Sequence, residues 1–238
     1  MSLSNQTVLV IGGSSGIGLA VTRGALKLGA RVIAAGRDAE RLASAAAANP
    51  GLETESIDIT DEDDVAAVFE RIGALDHLVV TAGALIGSSP LPMLDISTMR
   101  EAIGVKLTGS LVAAKHAARH LRPGGSIGFT SGVLARKPAP NSVVKTAINA
   151  ALEAATRQLA RELAPLRVYA VSPGPVNTPS WRFMDDASRS AMFERLASTL
   201  PAGFAASDED TAAGYLFAMQ ARALTGAVID LDSGALVA

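Results

Sequence analysis

Between Thr7 and Gly29 the chain passes from a β-branched apolar run, Thr7-Val8-Leu9-Val10-Ile11, through Gly12-Gly13-Ser14-Ser15-Gly16-Ile17-Gly18, into a helix-like segment, Ile17 to Leu28. A strand, a glycine-rich turn and a helix N-terminus in that order form a pyrophosphate site. The glycines let the backbone approach the phosphates, and the helix presents free N–H groups and the positive end of its dipole. The motif requires the strand before it and the helix after it, and both are here. An ordinary glycine-rich βα turn is the plainer alternative.

The alternation continues almost to the end. Strands are expected at Thr7–Ile11, Arg31–Ala35, Glu53–Ile57, Leu75–Val80, Ser126–Thr130, Arg167–Val171 and Ala227–Leu231. Helices are expected at Gly16–Leu28, Ala39–Ala48, Asp61–Ile72, Ile96–Leu121, Ser142–Leu163, Arg182–Ser198 and Asp208–Met219. Several strands are apolar throughout, which suits strands covered on both faces. The pattern is that of an α/β protein with a doubly wound parallel sheet of about seven strands, Rossmann-like. A length of 238 residues and 49% hydrophobic residues suit one domain spanning residues 1–238. Pro50-Gly51 and Pro123-Gly124-Gly125 read as turns between elements, not linkers.

Composition narrows the function. With no cysteine, disulfides and thiol catalysis are excluded. A net charge of −2 gives no reason to expect a nucleic-acid partner, and no apolar run reaches membrane-spanning length. Met1 to Gln6 does not read as a signal peptide, so the cytoplasm is the simplest expected location. His116 and His120 share a helix face, but a solvated face explains them better than a metal does. The acidic residues of Asp61–Asp64 fit the first turn of a helix, where the dipole favours them.

Ligands of such sheets bind beyond the carboxyl ends of the strands. The second strand ends Ala35-Gly36-Arg37-Asp38. A carboxylate at that tip suits the ribose hydroxyls of NAD(H), and a cation suits the extra phosphate of NADP(H). Asp38 precedes Ala39-Glu40-Arg41-Leu42 and reads as a helix N-cap, so Arg37 favours NADP(H), with NAD(H) as the alternative. Asp58 is a candidate to accept from an adenine amino group. Thr81-Ala82-Gly83 ends the fourth strand with small residues that let a ribose or backbone pass closely, or simply form a tight turn.

With these pieces in order, the chain resembles the short-chain dehydrogenase/reductase family over its whole length. Gly12-x-x-x-Gly16-x-Gly18 matches the family's glycine motif, and Asp58 its adenine-contacting aspartate. Val80-Thr81-Ala82-Gly83 stands where Asn-Asn-Ala-Gly is usual. Ser172-Pro173-Gly174-Pro175-Val176-Asn177-Thr178 matches the segment that usually contacts nicotinamide and pyrophosphate. The resemblance thus implies a dinucleotide held by Gly12, Ser14, Ser15, Gly16, Ile17, Gly18, Arg37, Asp58, Ala82, Gly83, Lys145, Pro173, Gly174, Val176 and Thr178. It also implies a substrate lid at about 176–206 and a homodimer or homotetramer built partly on the helix carrying Ala147, Ala150, Ala151, Ala154 and Ala155. Core packing within one chain is the competing reading of those alanines.

The catalytic pattern departs from the family's Asn, Ser, Tyr and Lys. Lys145 matches the Lys, but Asn141 stands four residues before it, where Tyr is usual, and Asn does not exchange a proton near neutral pH. The only tyrosines are Tyr169 and Tyr215. The Ser position falls at Gly132, one residue after Ser131, and the Asn of the central helix is replaced by Lys106. Two adjacent ammonium groups in a low-dielectric site would lower one pKa, making Lys106 or Lys145 able to exchange protons, with water, Ser131 or Ser142 as relay. The expected function is an NADP(H)-dependent oxidoreductase acting on a small carbonyl or alcohol, or an imine or enone. The alternative is an inactive NADP(H)-binding sensor or interaction protein. Trp181, Phe183, Met184, Met192, Phe193 and Phe204 fit an apolar pocket wall, or a helix stripe packed on the core or another subunit.

Overall fold

The computed structural model describes residues 2–83 and 87–238. Seven strands, β1 (Thr7–Ile11), β2 (Arg31–Gly36), β3 (Leu52–Ser56), β4 (Leu75–Val80), β5 (Leu121–Thr130), β6 (Arg167–Pro173) and β7 (Ala227–Leu231), form one sheet in the order β3-β2-β1-β4-β5-β6-β7. Every pairing is parallel. The helices are α1 (Gly16–Lys27), α2 (Ala39–Ala48), α3 (Glu62–Ile72), α4 (Ile96–Ile103), α5 (Gly109–His120), α6 (Val143–Glu162), α7 (Asp186–Thr199) and α8 (Asp208–Gln220).

Period-two side chains of buried strands feed two cores. Leu9, Ile11, Leu78 and Phe129 pack with Val65, Phe69, Ala113, Ile148 and Leu152 on one face, under α3, α5 and α6. Val8, Val10, Val32 and Tyr169 pack with Val21, Leu42 and Tyr215 on the other, under α1, α2 and α8. The predicted alternation is therefore the observed architecture, a single sheet with helices on both faces. Asp38 does cap α2, accepting from the Arg41 N–H at 3.0 Å.

Two expectations need correction. The helix expected over Ile96–Leu121 is interrupted by a π-helical turn at Gly104–Thr108. Two close contacts flank it. Gly109 lies against β3's exit so closely that a Cβ would sit 2.9 Å from the Ile59 carbonyl oxygen, and the Ser110 hydroxyl donates to the Lys106 carbonyl at 2.6 Å. Pro123-Gly124-Gly125 is also not a simple connector: β5 begins at Leu121, which pairs with Leu75, and the register shifts before Ser126 pairs with His77.

His77 is buried on β4 near the amino end of the sheet. The Gln6 Oε1 is an acceptor at 3.1 Å, so Nε2 donates to it and Nδ1 accepts from the Ser126 hydroxyl at 2.8 Å. Burial, and then the nearby Arg167 guanidinium, push its pKa down to about 4. The folded pKa lies below the unfolded value of about 6.5. The neutral ring's contribution is therefore full above about pH 6.5 and is lost as pH falls towards 4, by about 3 kcal/mol at the limit. Urea midpoints measured from pH 4 to 7 should fall more steeply for the natural chain than for His77→Gln, and parallel curves would refute this.

Candidate active site

The chain builds β1, β2 and β3 outward in one direction, then crosses back to β4, so the switch in strand order lies between β1 and β4. Ile11 pairs with both Ala35 and Val80, which brings Gly12, Gly36 and Thr81 to one edge. There a cleft of about 770 Å³ opens. Its floor is the glycine turn: Gly12, Ser14, Ser15, Gly16, Ile17 and Gly18 all line it.

The turn is built for close backbone approach. Gly12 has φ +89°, and a Cβ there would lie 2.6 Å from Thr81 Oγ1. A Cβ on Gly18 would lie 2.1 Å from the Gly12 carbonyl oxygen. Thr81 locks the other side, its N–H and its hydroxyl both donating to the Ile11 carbonyl, at 2.8 and 3.2 Å. Unlike α2, α3, α7 and α8, helix α1 has no side-chain cap and no acidic residue in its first turn. Its first N–H groups face the cleft without an intrahelical acceptor, which is what an incoming phosphate needs.

Arg37 lines the cleft beside Asp38 and Arg41. The Asp38 carboxylate is taken up by Arg41, whose Nε lies 2.8 Å away. Ala82, Gly83 and Thr178 also line the wall. Asp58 does not: its neighbours Ile57 and Ile59 do, while its own Oδ1 accepts from the Thr60 N–H at 2.9 Å and the Thr60 hydroxyl at 2.7 Å. Pro173, Gly174 and Val176 are not among the lining residues. A Cβ on Gly174 would sit 2.9 Å from Asp232 Cα, and the Val176 carbonyl accepts from the Trp181 indole N–H at 2.9 Å.

At the β4–β5 side Lys106 projects from the π turn into the cleft. Its Nζ donates to Asn149 Oδ1 at 2.7 Å and to the Ser131 carbonyl at 3.3 Å. Desolvation first, and then repulsion from the Lys145 ammonium, push its pKa down to about 8. Desolvation also pushes the Lys145 pKa down, and among the described residues its ammonium has no hydrogen-bond acceptor. Of the two lysines expected to point into the cleft, Lys106 lines it; Lys145 is not among the lining residues, and its charge reaches the site through its repulsion of Lys106. Asn149 was not foreseen, although a lone polar side chain one turn after Lys145, in an alanine-rich helix, was a readable signal.

Ser131 is not brought to the cleft, contrary to expectation. Its hydroxyl turns into α6 and donates to Glu153 Oε1 at 3.0 Å, and Glu153 is held in turn by the Arg136 Nε at 3.3 Å. Asn141 is also elsewhere. It has φ +61°, accepts the Ser89 N–H on its carbonyl, and lines a smaller cavity with Leu91, Pro138 and Val143. Ser142 lines that cavity too, and its hydroxyl donates to the Pro140 carbonyl. Tyr169 on β6 and Tyr215 on α8 are fully buried, and burial pushes both phenols up, away from proton exchange near neutrality. Trp181 packs on Phe183 and Phe193, while Arg182 and Pro179 line the cleft.

Comparison with known proteins decides the family. The family model described as "Enoyl-(Acyl carrier protein) reductase" matches residues 12–235. Short-chain dehydrogenase/reductase ATR9 of Stachybotrys chlorohalonatus is 34% identical, with 99% of each chain covered. The chain belongs to the short-chain dehydrogenase/reductase family. Cis-4-hydroxycyclohexanecarboxylate dehydrogenase of Sinomonas cyclohexanicum is 33% identical over 98% of this chain and 97% of its own. A small-chain dehydrogenase solved in complex with NADPH is 40% identical, with a TM-score of 0.86 over 98% of this chain and 99% of that one. As a short-chain dehydrogenase/reductase the chain is an oxidoreductase by type, and no helix among its described residues is long and apolar enough to cross a membrane.

Proposed function

We propose that this short-chain dehydrogenase/reductase binds NADP(H) in the strand-end cleft and interconverts a small carbonyl compound and its alcohol, or reduces an imine or enone, with Lys106 handling the proton. The observation that carries the reading is the pairing of an uncapped α1 N-terminus with an Arg37 guanidinium that makes no ion pair among the described residues. The first suits a pyrophosphate and the second a ribose phosphate. The relative solved with NADPH is consistent with this choice.

The glycine turn from Gly12 to Gly18 would hold the pyrophosphate. Ala82, Gly83 and Thr178 would border the ribose and nicotinamide, and Pro173, Gly174 and Val176 would support that wall from behind. Lys145 would hold the nicotinamide ribose. The cofactor supplies the hydride. The chain itself must hold and move a proton, and neither of its tyrosines, nor Asn141, is placed to do so. Lys106 has an ammonium in the cleft, a pKa near the working range and one N–H left after its two internal hydrogen bonds. The segment 176–206 would cover the substrate, with Arg182 and Pro179 at its edge. The partly exposed alanine face of α6 would pair with a second copy in a homodimer or homotetramer, since the core-facing side of that helix is made by other residues. An inactive sensor on this fold finds no observation in its favour.

Titration with NADPH and NADH tests the reading. NADPH should bind more tightly, and Arg37→Ala should weaken NADPH alone by about 10- to 100-fold, the worth of one charge-assisted hydrogen-bond set. Equal affinities in the natural chain would overturn it.

A further inference from the structure

We propose that the reacting end of the cleft is a carboxylate-binding site centred on Lys106, so that the substrate is an anionic carbonyl or hydroxy compound carrying a carboxylate close to the carbon that reacts. The inference rests on the reading above for the word substrate, and on the charge distribution for the word anionic.

The cleft is cationic in a chain whose net charge is −2. Among the described residues Arg37, Arg41, Lys106 and Arg182 line it, against Asp38 and Glu101. Asp38 is neutralised by Arg41 at the far end, and Glu101 makes no ion pair with either lysine. Arg37 is accounted for by the ribose phosphate. What is left over on the lining is Lys106 and Arg182 against Glu101, and behind Lys106 the Lys145 ammonium repels it, with no ion pair to either lysine among the described residues.

Two uncompensated ammonium groups in a partly dry site are costly, and internal partners do not remove that cost. Asn149 Oδ1 and the Ser131 carbonyl are dipoles, not charges, and they leave Lys106 one N–H free to donate. An anion placed on that N–H converts repulsion into attraction, where the low dielectric magnifies both. A neutral substrate would leave the excess in place. With the carboxylate next to the reacting carbon, a carboxylate oxygen and the reacting oxygen share that one N–H in a bifurcated hydrogen bond, so the same ammonium anchors the anion and exchanges the proton. By linkage, the anion must raise the affinity of Lys106 for its proton, so binding takes up a proton from solvent when the pH is near or above 8.

Calorimetric titration of the protein, with and without NADP⁺, would use formate, acetate and cyclohexanecarboxylate, each against its neutral amide. At least one carboxylate should bind about 10-fold or more tightly than its amide, as expected for a charge-assisted hydrogen bond. Near pH 8 its apparent heat should vary with the ionisation enthalpy of the buffer, reporting proton uptake. The preference should persist in Lys106→Arg and vanish in Lys106→Met and Lys106→Gln, two neutral variants in case one fails to fold. No preference for any carboxylate, or a preference surviving both neutral variants, would overturn the proposal. Normal NADPH binding without the preference sinks this inference alone, and the preference without NADPH binding sinks the functional reading alone.

Discussion

Lys106→Met should lower turnover by about 100-fold or more, the usual worth of a positioned proton donor, while leaving NADPH affinity nearly unchanged. The side chain enters the cleft from the π turn, and its ammonium is tied to Asn149 and the Ser131 carbonyl rather than to the glycine turn or Arg37. With its pKa pushed down to about 8, Lys106 is the group whose titration the rate should follow. Carbonyl reduction needs the protonated amine, so kcat/KM for reduction should fall as pH rises through about 8. Alcohol oxidation needs the free amine and should rise over the same range. Both inflections should disappear in the variant. Asn149→Ala should move the inflection without removing it, because Asn149 only positions the ammonium. Unchanged turnover in Lys106→Met would assign the proton to water or to another group and end the two-lysine mechanism.

Gly18→Ala should be the most damaging small substitution in the chain. The added methyl would meet the Gly12 carbonyl oxygen at 2.1 Å and Thr81 Oγ1 at 2.5 Å. Both are pinned, Gly12 by its N–H bond to the Ala35 carbonyl at 2.7 Å and Thr81 by its two bonds to Ile11, so neither can give way cheaply. A loss of about 3 kcal/mol is expected from such overpacking. That corresponds to a fall in Tm of about 10 °C for a chain of this size. NADPH binding should go with it, since the turn must open to relieve the clash. Gly36→Ala is the control: the nearest atom would be Ser14 Oγ at 3.9 Å, so stability should hardly change. Equal melting temperatures for the two variants would mean that the turn is looser than its geometry implies.

The fold was legible because its signals are local and redundant. β1 and α1 announce themselves by apolar period, glycine turn and a C-terminal glycine, and the same grammar repeats at β2 with the Asp38 cap and at β4 with its small residues. The site was legible where it consists of backbone, as from Gly12 to Gly18, because glycine spacing reports backbone geometry directly. It was less legible where side chains choose partners far away in sequence. Ser131 lies one residue beyond β5, at the edge where ligands bind, yet its hydroxyl prefers Glu153, 22 residues on, which is itself steadied by Arg136. Arg136 also ties to Asp230 on β7, 94 residues away. No period or motif in the chain encodes such a network. Lys106 and Lys145 stand out in the sequence because both replace or match positions of a known pattern, and the structure carries Lys106 onto the cleft lining. Asn149 carries no such positional cue, since it stands among the small residues of an alanine-rich helix.

The π turn between α4 and α5 has a mechanical meaning. A helix of ordinary pitch advances about 100° per residue, so one extra residue in a turn rotates everything before it relative to everything after it by that amount. Residues 104–108 therefore act as an index mark that sets two faces independently: α5 keeps Ala113, Ala114 and Ala117 against the sheet, while α4 keeps Ala102 in the core and Glu101 at the rim. Deleting a single residue there would heal the helix and force a choice between the two settings. The insertion is the price of carrying a long cation into the cleft from a helix that must also pack flat. Altering chain length by one at this turn would thus change which side chain enters the cleft, with no substitution at all.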